Sequence, residues 1–294
     1  MLWNLGTRIK GALPNRLKED ALPELPEVET VLRGLSPTLV GQTINTVTVR
    51  QPALRFPVPI ELPTLLAGRT IIDLQRRGKY LIIFLDSGSV ICHLGMSGSL
   101  QLVPNSTPAS RHDHIDITIG NTLLRYRDPR RFGLMLWTEE DPMTHPLLAA
   151  LGLEPLAPQF TGHALHRLTA ASKSPIKTLL MDSHKIVGVG NIYASESLFQ
   201  ARIHPTTPAR DLTPARCCRL VEAVQSTLSA AIAAGGSSLR DFVHSNGKLG
   251  YFQQQYFVYG RAGAACRVCG TAIERLVMAQ RATYFCPRCQ RRRG

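Results

Sequence analysis

The sequence is poor in acidic residues, with 21 Asp and Glu against 34 Lys and Arg, so its formal net charge is +13. It has no apolar run near the roughly 18–20 residues that span a bilayer. Its first residues lack the order of charged, apolar and small residues that marks a secretory signal. We therefore expect a soluble, intracellular protein with no membrane partner. The positive charge favours an acidic partner, most commonly nucleic acid.

The chain of 294 residues is 44% hydrophobic and exceeds the usual size of one domain, so two domains and a small appendage are expected. Short apolar or alternating stretches predict strands over residues 42–50, 79–86, 89–94, 114–119 and 122–127. Strands at this spacing indicate an antiparallel sandwich. Apolar residues at helical spacing over residues 28–39 predict one helix packed on it.

The composition changes after residue 137. Four prolines punctuate residues 141–160, which predicts a linker between domains. Helical patterns follow over residues 163–172, 175–182, 191–201 and 214–234. The predicted order is therefore a β-rich domain, a linker, a helical domain and a short segment rich in cysteine.

Four of the seven cysteines form the pattern C-x2-C, sixteen residues and C-x2-C, at Cys266, Cys269, Cys286 and Cys289. Two such turns can present four thiolates to one tetrahedral zinc ion, which leaves no position for water or substrate. Two disulfides are the alternative, and they would require an oxidising compartment. We predict one structural zinc ion and no organic cofactor.

The remaining cysteines are Cys92, Cys217 and Cys218, and none of them lies near this pattern. A disulfide between the adjacent Cys217 and Cys218 would be strained. We interpret all three as small thiols of the core.

Residues 185–194 (KIVGVGNIYA) place two glycines before a predicted helix start at Asn191. Free N–H groups at a helix N-terminus can bind a phosphate of a nucleic acid. Lys177 on the preceding helix could reach the same nucleic-acid strand. An ordinary glycine-rich helix cap is the alternative. The segment therefore indicates a phosphate contact only together with the positive charge and the zinc pattern.

Six motifs occur in the order found in one known family: residues 23–30 (PELPEVET), 93–98 (HLGMSG), 128–133 (DPRRFG), 187–196 (VGVGNIYASE), 235–242 (GGSSLRDF) and 280–286 (QRATYFC). On these motifs, which extend over nearly all of the chain, the sequence resembles the bacterial formamidopyrimidine-DNA glycosylases of base-excision repair. The resemblance implies an α+β multidomain fold: an N-terminal β-sandwich with flanking helices, a helix–two-turns–helix domain and a C-terminal zinc ribbon. The expected divisions are an extension (1–22), a catalytic domain with linker (23–155), a DNA-binding domain with a lesion-capping loop (156–262) and the ribbon (263–294).

The resemblance also implies a bifunctional enzyme that removes 8-oxoguanine and formamidopyrimidines from double-stranded DNA and then cleaves the abasic site as a lyase. By motif position, the nucleophile is the secondary amine of Pro23 and the general acid/base is Glu24. Lys79 would serve β-elimination and grip a flanking phosphate, and Arg281 would serve δ-elimination. An α-amine suits the nucleophile because its pKa is near ~8, against ~10.4 for lysine. Without the resemblance, Pro23 and Glu24 could be only the entry to a helix. Lys79 could then be a solvated strand end, and Arg281 a surface charge.

By the same resemblance, Met96, Phe132 and Arg130 fill the space left by the flipped nucleotide, and the arginine bonds the orphaned cytosine. Considered alone, Met96 and Phe132 would be core residues. The positions that match phosphate contacts are His112, Lys173, Lys177 and Asn191. Residues 241–252 match a mobile loop that closes over the flipped base.

The sequence departs from the family at its start, because Pro23 follows 22 other residues and its nitrogen is then a tertiary amide that cannot form an iminium. We expect a working protein that begins at Pro23, with Leu22 encoded by a leucine-type start codon and residues 18–20 encoding a ribosome-binding sequence. Proteolytic exposure of Pro23 is an alternative. If the extension is retained, the chain would bind lesions or abasic sites without cutting them.

Two further alternatives are an endonuclease VIII-type glycosylase for oxidised pyrimidines and a plain zinc-ribbon binder of nucleic acid. The first typically opens with Pro-Glu-Gly-Pro and lacks the Arg130 and Phe132 arrangement. The second leaves residues 23–30 and 128–133 unexplained. We expect a monomer in the bacterial cytoplasm, associated with the nucleoid.

Overall fold

The computed structural model describes residues 23–236 and 255–292. The predicted extension over residues 1–22 and the predicted capping loop over residues 241–252 lie outside this part of the chain. The N-terminal half contains, in order, α1 (Leu25–Leu39), β1 (Thr46–Val49), α2 (Leu62–Leu66), β2 (Ile71–Arg77), β3 (Tyr80–Leu85), β4 (Ser89–His93), β5 (Ser99–Pro104), β6 (Asp113–Ile119), β7 (Thr122–Arg127) and β8 (Leu134–Thr138).

These eight strands form two antiparallel four-stranded sheets, ordered β1-β6-β7-β5 and β2-β3-β4-β8. Their apolar faces, together with Val28, Val31 and Leu35 of α1, enclose one hydrophobic core. The predicted antiparallel sandwich with a packed helix is therefore confirmed. Strands β2, β5 and β8 were not among the predicted strands. In β2, a shift in register between Ile71 and Asp73 interrupts the alternation.

The predicted linker contains a short 3-10 turn (Pro142–Thr144) and α3 (Pro146–Ala149). The helical half follows with α4 (Gly162–Thr169), α5 (Ile176–Leu180), α6 (Asn191–Gln200) and α7 (Pro214–Ala233). Two turns connect α6 to α7, the second of which contains a 3-10 turn over Ala209–Asp211. The chain thus has the predicted helix–two-turns–helix arrangement.

A second hydrophobic core lies among these helices, and Leu25 at the start of α1 belongs to it. Helix α1 therefore contributes its first turn to the helical core and its later turns to the sandwich core. The two halves of the protein consequently share one element rather than meeting through a linker alone.

The C-terminal segment forms a hairpin of β9 (Glu274–Met278) and β10 (Arg281–Phe285) beside the four clustered cysteines. Ala279 and Gln280 form its turn with φ of 46° and 61°, a left-handed conformation in which Arg281 directly follows the tip. This hairpin and the cysteines make up the predicted zinc ribbon.

Of the three isolated cysteines, Cys92 and Cys217 are buried as predicted, but Cys218 is exposed. The interpretation of Cys218 as a core thiol was wrong because successive residues of a helix are rotated by about 100°, so the neighbour of the buried Cys217 points away from the core. Within residues 23–236 and 255–292, no helix is long and apolar enough to cross a membrane.

Candidate active site

A cleft of about 570 Å³ opens between the sandwich, the helical half and the hairpin. Five of the predicted site residues line it, namely Pro23, Lys79, Met96, Phe132 and Arg281. Each comes from a different part of the chain: the segment before α1, the turn between β2 and β3, the turn after β4, the turn before β8 and the start of β10. The fold therefore brings the predicted nucleophile together with both predicted elimination residues.

Glu24 lies beneath this cleft, where the starts of α1 and α6 meet. Its side chain is 2% exposed. The backbone N–H of Gly190 donates to Oε2 at 2.8 Å, and that of Ile192 donates to Oε1 at 3.0 Å. Burial raises the pKa of Glu24, an effect that the charge of Lys79 opposes and the charge of Glu27 reinforces. A raised pKa makes this carboxyl a better candidate for proton donation than an exposed carboxyl.

This contact corrects the sequence interpretation of residues 185–194. The N–H groups at the start of α6 were expected to be free for a phosphate, but the Glu24 carboxylate binds those of Gly190 and Ile192. A Cβ on Gly190 would overlap the same carboxylate, so this glycine permits its close approach. The N-terminus of α6 therefore binds a carboxyl group of the protein itself.

Glu27 fixes the backbone next to the predicted nucleophile. The N–H of Glu24, which belongs to the Pro23–Glu24 peptide, donates to Glu27 Oε2 at 3.0 Å. The Tyr193 hydroxyl donates to Glu27 Oε1 at 2.6 Å. Both Glu27 and Tyr193 are fully buried. The buried pair of Glu27 and Tyr193 therefore holds the peptide group that directly follows the Pro23 ring.

Lys79 follows Gly78 in the turn between β2 and β3 and is partly buried. Burial lowers the pKa of the Lys79 ammonium; the charge of Glu24 opposes this shift and the charge of Arg281 adds to it. A lysine with a lowered pKa has a larger fraction of free amine near neutral pH, so it can accept a proton as well as contact an anion.

Arg55, Tyr80 and His93 are among the cleft-lining residues that the sequence did not indicate. His93 pairs with Tyr80 across β3 and β4, and their rings are in edge contact at 4.8 Å. Burial, with the charges of Lys79 and Arg55, lowers the pKa of His93 to about 4, so the imidazole is neutral at physiological pH. His93 opens the motif of residues 93–98 at the end of a predicted strand, a position that could have indicated a sheet-edge site. No sequence pattern marks Arg55.

The predicted void-filling residues lie on two adjacent turns. Phe132 is 46% exposed, which excludes its interpretation as a core residue. The Arg130 guanidinium carbon lies 4.9 Å from the centre of the Phe132 ring, a cation–π contact. Met96 on the neighbouring turn is partly buried and lines the same cleft. The three side chains form one mixed apolar and cationic edge.

Buried polar contacts hold these two turns together. The Ser97 hydroxyl donates to Asp128 Oδ1 at 2.7 Å, and the backbone N–H of Arg130 donates to Ser97 Oγ at 3.1 Å. Asp128 Oδ2 also accepts the N–H of Gly133 at 2.8 Å. Ser97 and Asp128 thus fix the backbone on which Met96, Arg130 and Phe132 are mounted.

Lys177 and Asn191 meet the hairpin rather than open solvent. Lys177 is 1% exposed, and its ammonium donates to Asn191 Oδ1 at 2.6 Å and to Thr283 Oγ1 at 2.7 Å. Asn191 Nδ2 donates to the carbonyl of Ala282 at 3.0 Å. The expectation that Lys177 grips a phosphate is corrected here, because its ammonium is buried against β10, next to Arg281.

The other two predicted phosphate contacts lie outside the residues that line the cleft. His112 is partly buried, and its backbone carbonyl accepts the N–H of Asp128 at 3.1 Å. Asp128 lies two residues before Arg130 in the chain. Lys173 is exposed in the connection between α4 and α5. Both remain predictions for contacts along the DNA beyond the cleft.

The four cysteines of the ribbon fit one structural zinc ion. Their Sγ atoms all lie within 4.8 Å of one another, with 4.0 Å between Cys266 and Cys289 and 3.5 Å between Cys269 and Cys286. A tetrahedron with Zn–S bonds of about 2.3 Å has edges of about 3.8 Å. None of the four is in a disulfide, so the alternative of two disulfides is not supported. The prediction of one structural zinc ion is confirmed.

Comparison with known families matches three models in the order of the fold. They are the formamidopyrimidine-DNA glycosylase N-terminal domain over residues 22–135, the formamidopyrimidine-DNA glycosylase H2TH domain over residues 151–243, and a zinc finger found in FPG and IleRS over residues 263–292. A formamidopyrimidine-DNA glycosylase of Aromatoleum aromaticum is 58% identical over 271 residues, which cover 92% of this chain and all of that protein.

Solved structures show the same likeness. The MutM (Fpg) protein of Thermus thermophilus superimposes with a TM-score of 0.82 at 41% identity, covering 91% of this chain and 98% of that one. The Fpg of Lactococcus lactis, in complex with DNA containing an abasic site, gives a TM-score of 0.85 at 35% identity, covering 92% of this chain and all of that one.

Proposed function

Because this chain belongs to the formamidopyrimidine-DNA glycosylase family, we propose that it is a DNA repair glycosylase and abasic-site lyase that excises oxidised purines from double-stranded DNA. The observation that carries this function is the convergence of Pro23, Lys79 and Arg281 on one cleft directly above the buried carboxyl of Glu24. The substrates are 8-oxoguanine and formamidopyrimidines. Endonuclease VIII-type specificity is not favoured by the family matches.

The reaction requires a chain in which the Pro23 nitrogen is a free secondary amine. This nitrogen attacks C1′ of the deoxyribose, and the glycosidic bond breaks with its electron pair on the base, which takes up a proton. The proline nitrogen, which attack has converted to an ammonium, loses its proton; its restored lone pair then forms a C=N bond as the C1′–O4′ bond opens, and Glu24 protonates O4′. The raised pKa of Glu24 supports this role because the carboxyl must carry a proton at neutral pH.

The resulting iminium withdraws electrons and makes the C2′ proton acidic. Removal of that proton expels the 3′ phosphate by β-elimination, and loss of the C4′ proton then expels the 5′ phosphate by δ-elimination. Lys79 is suited to the first elimination because its lowered pKa makes it both a proton acceptor and a neighbour for a phosphate. Arg281 serves the second elimination from its position next to the hairpin turn.

The DNA would bind along the positively charged cleft with the lesion flipped into it. Met96 and Phe132 would then fill the vacated space, while Arg130 donates hydrogen bonds to the unpaired cytosine. Asn191, His112 and Lys173 are proposed phosphate contacts. The zinc ion, held by the four cysteines, has no open position and supplies rigidity to the hairpin rather than chemistry.

We also propose the divisions of the chain at residues 22/23, 155/156 and 262/263, in support of which the hydrophobic cores of the sandwich, the helices and the ribbon are separate clusters. The proposed working form is a monomer that acts on nucleoid DNA in the bacterial cytoplasm.

The function is tested by borohydride trapping on a duplex that carries 8-oxoguanine opposite cytosine. The protein is expressed from its native locus, and mass spectrometry locates both the adduct and the first residue. We expect one covalent adduct on an N-terminal Pro23, and no adduct when the nitrogen of Pro23 is acetylated in a protein that retains affinity for abasic-site DNA. A duplex with an oxidised pyrimidine is the matched substrate control.

Tight binding without an adduct, by a chain that still carries residues 1–22, would contradict the enzymatic proposal. That result would identify a lesion-binding protein whose nucleophile is blocked as an amide. A faster reaction on the oxidised pyrimidine than on 8-oxoguanine would contradict the proposed substrate class while leaving the chemistry in place.

A further inference from the structure

Glu154 lies in the linker, outside the cleft, yet its carboxylate meets the turn that precedes Lys79. Oε1 accepts the backbone N–H of Gly78 at 2.6 Å and a guanidinium N–H of Arg77 at 3.1 Å. Oε2 accepts a guanidinium N–H of Arg76 at 2.9 Å. One partly buried side chain thus holds three consecutive residues of the β2–β3 connection.

This turn has little freedom to settle elsewhere. Gly78 has φ of +59°, a left-handed conformation that favours glycine, and a Cβ at this position would overlap the side chain of Val187. The turn is therefore enclosed between Glu154 on one side and Val187 on the other. Lys79 follows immediately, so the direction of its side chain is determined by the backbone that Glu154 fixes.

The linker that carries Glu154 is itself bound to the opposite wall of the cleft. The N–H of Gly152 donates to the Ser183 carbonyl at 2.8 Å, and the N–H of Val187 donates to the Leu153 carbonyl at 3.0 Å. Residues 188–190 then lead to the start of α6, where Glu24 is bound. Glu154 therefore sets the position of Lys79 relative to the wall that holds Glu24.

The charged side chains around the β2–β3 turn also indicate that Glu154 positions Lys79. Arg76 and Arg77 are adjacent to Lys79 in sequence, and without counter-charges they would repel its ammonium. Glu154 pairs with both arginines, and Glu29 of α1 pairs with Arg76 at 2.9 Å. Lys79 itself has no hydrogen-bond partner among the residues that the structure describes, so its ammonium is left facing the cleft.

We propose that Glu154 is a positioning residue for Lys79, which holds the β2–β3 turn so that the Lys79 amine reaches the sugar bound at Pro23. The inference rests on the proposed function and specifies how one of its groups is held in place. Glu154 is not among the residues that line the cleft. Displacing a reacting group by about 1 Å can lower a rate by about a hundredfold, so the contact is sufficient to govern the elimination step.

The test compares Glu154→Gln and Glu154→Asp with Glu29→Gln in the form of the protein that gives the wild-type adduct. Gln keeps the size but places an NH₂ group against the N–H donors. Asp keeps the charge but is one methylene too short to reach the Gly78 N–H. Glu29→Gln is the matched control because it weakens a second ion pair of Arg76 without touching the turn. Thermal unfolding confirms that each variant is folded.

Single-turnover β-elimination on a preformed abasic site is measured with enzyme in excess, alongside affinity for the same duplex. We expect both Glu154 variants to lose roughly tenfold or more in elimination rate, with affinity and trapped adduct nearly unchanged, and Glu29→Gln to resemble wild type. In a Lys79→Met background, Glu154→Gln should add less than about a twofold loss, because both changes remove the same contribution.

If the rate losses of Glu154→Gln and Lys79→Met multiply when the two changes are combined, the inference is overturned. A wild-type rate of β-elimination in Glu154→Asp would also overturn it. A failure of the proposed function is distinguishable from these results, since the wild-type protein itself would then form no adduct and cleave no abasic site.

Discussion

Ser97→Ala should loosen the edge formed by Met96, Arg130 and Phe132 while leaving the rest of the fold intact. The Ser97 hydroxyl is the direct link between the turn of Met96 and the turn of Arg130, because it donates to Asp128 Oδ1 and accepts the N–H of Arg130. The substitution removes one oxygen atom and adds no bulk, so it creates no steric conflict.

The expected magnitude follows from these two contacts. A hydrogen bond within a protein contributes about 1 kcal/mol net, and two are lost, so the native arrangement of the turns is weakened by about 2 kcal/mol. This corresponds to roughly a thirtyfold change in an equilibrium constant. Asp128 keeps its bonds from the N–H of Gly133 at 2.8 Å and the hydroxyl of Tyr126 at 3.3 Å, so the loss should stay local.

The assay is equilibrium binding to duplexes that carry an abasic site opposite cytosine or opposite adenine, together with undamaged DNA. We expect Ser97→Ala to lose up to about thirtyfold in affinity for the abasic site opposite cytosine and to discriminate less between the two opposing bases. Its affinity for undamaged DNA should change little. Ser110→Ala is the control, because Ser110 accepts a hydrogen bond from Arg127 at the exposed surface, away from these turns.

Wild-type discrimination in a folded Ser97→Ala protein would refute the reasoning, since the two turns would then hold their positions without the hydroxyl. An equal loss on damaged and undamaged DNA would also refute it, because a general defect in binding would replace the expected local one.

Four further expectations concern the ribbon, the buried carboxyl, the buried lysine and the surface charge. Cys286→Ser should release zinc and lower activity, because Arg281 is mounted on the hairpin beside this site; metal analysis and δ-elimination assays check it. The pKa of Glu24 is higher in the folded protein than in the unfolded chain. Its contribution to the free energy of unfolding is therefore complete below the pKa of the unfolded chain and is lost as the pH rises through the pKa of the folded protein. Above about pH 4.5, the free energy of unfolding of the wild type should therefore fall more steeply with pH than that of Glu24→Gln. Chemical denaturation at several pH values measures the difference. Lys177→Met should reduce δ-elimination more than β-elimination, because the lost ammonium binds β10 next to Arg281; gel analysis of the two products checks it. Affinity for DNA should fall steeply with salt, because phosphate contacts release counterions, and titrations at several salt concentrations measure the slope.

The features that the sequence predicted well depend on local patterns. Cysteine spacing placed the zinc site, alternating or apolar stretches placed five of the eight sandwich strands, and the resemblance placed Pro23, Lys79 and Arg281 as one site. These patterns are visible because each lies within a few residues of the chain or within a motif of known order.

The features that the sequence did not predict depend on contacts between distant segments. The carboxylate of Glu24 binds an N–H that lies 166 residues away, and no pattern near either end indicates this pairing. Lys177 was placed on the correct helix, but only packing against β10 shows that its ammonium is buried. Arg55 lines the cleft from a loop without periodicity, and Cys218 was misplaced because its neighbour alone faces the core.

The late completion of the Glu24 pocket has a consequence for how the protein is made. A ribosome synthesises Pro23 and Glu24 first, the start of α6 only 166 residues later, and the Arg281 hairpin after the whole helical half. A nascent or prematurely ended chain therefore has the proposed nucleophile without its proton donor held in place and without its second elimination residue. Such a fragment therefore lacks the assembled site that the complete proposed reaction requires.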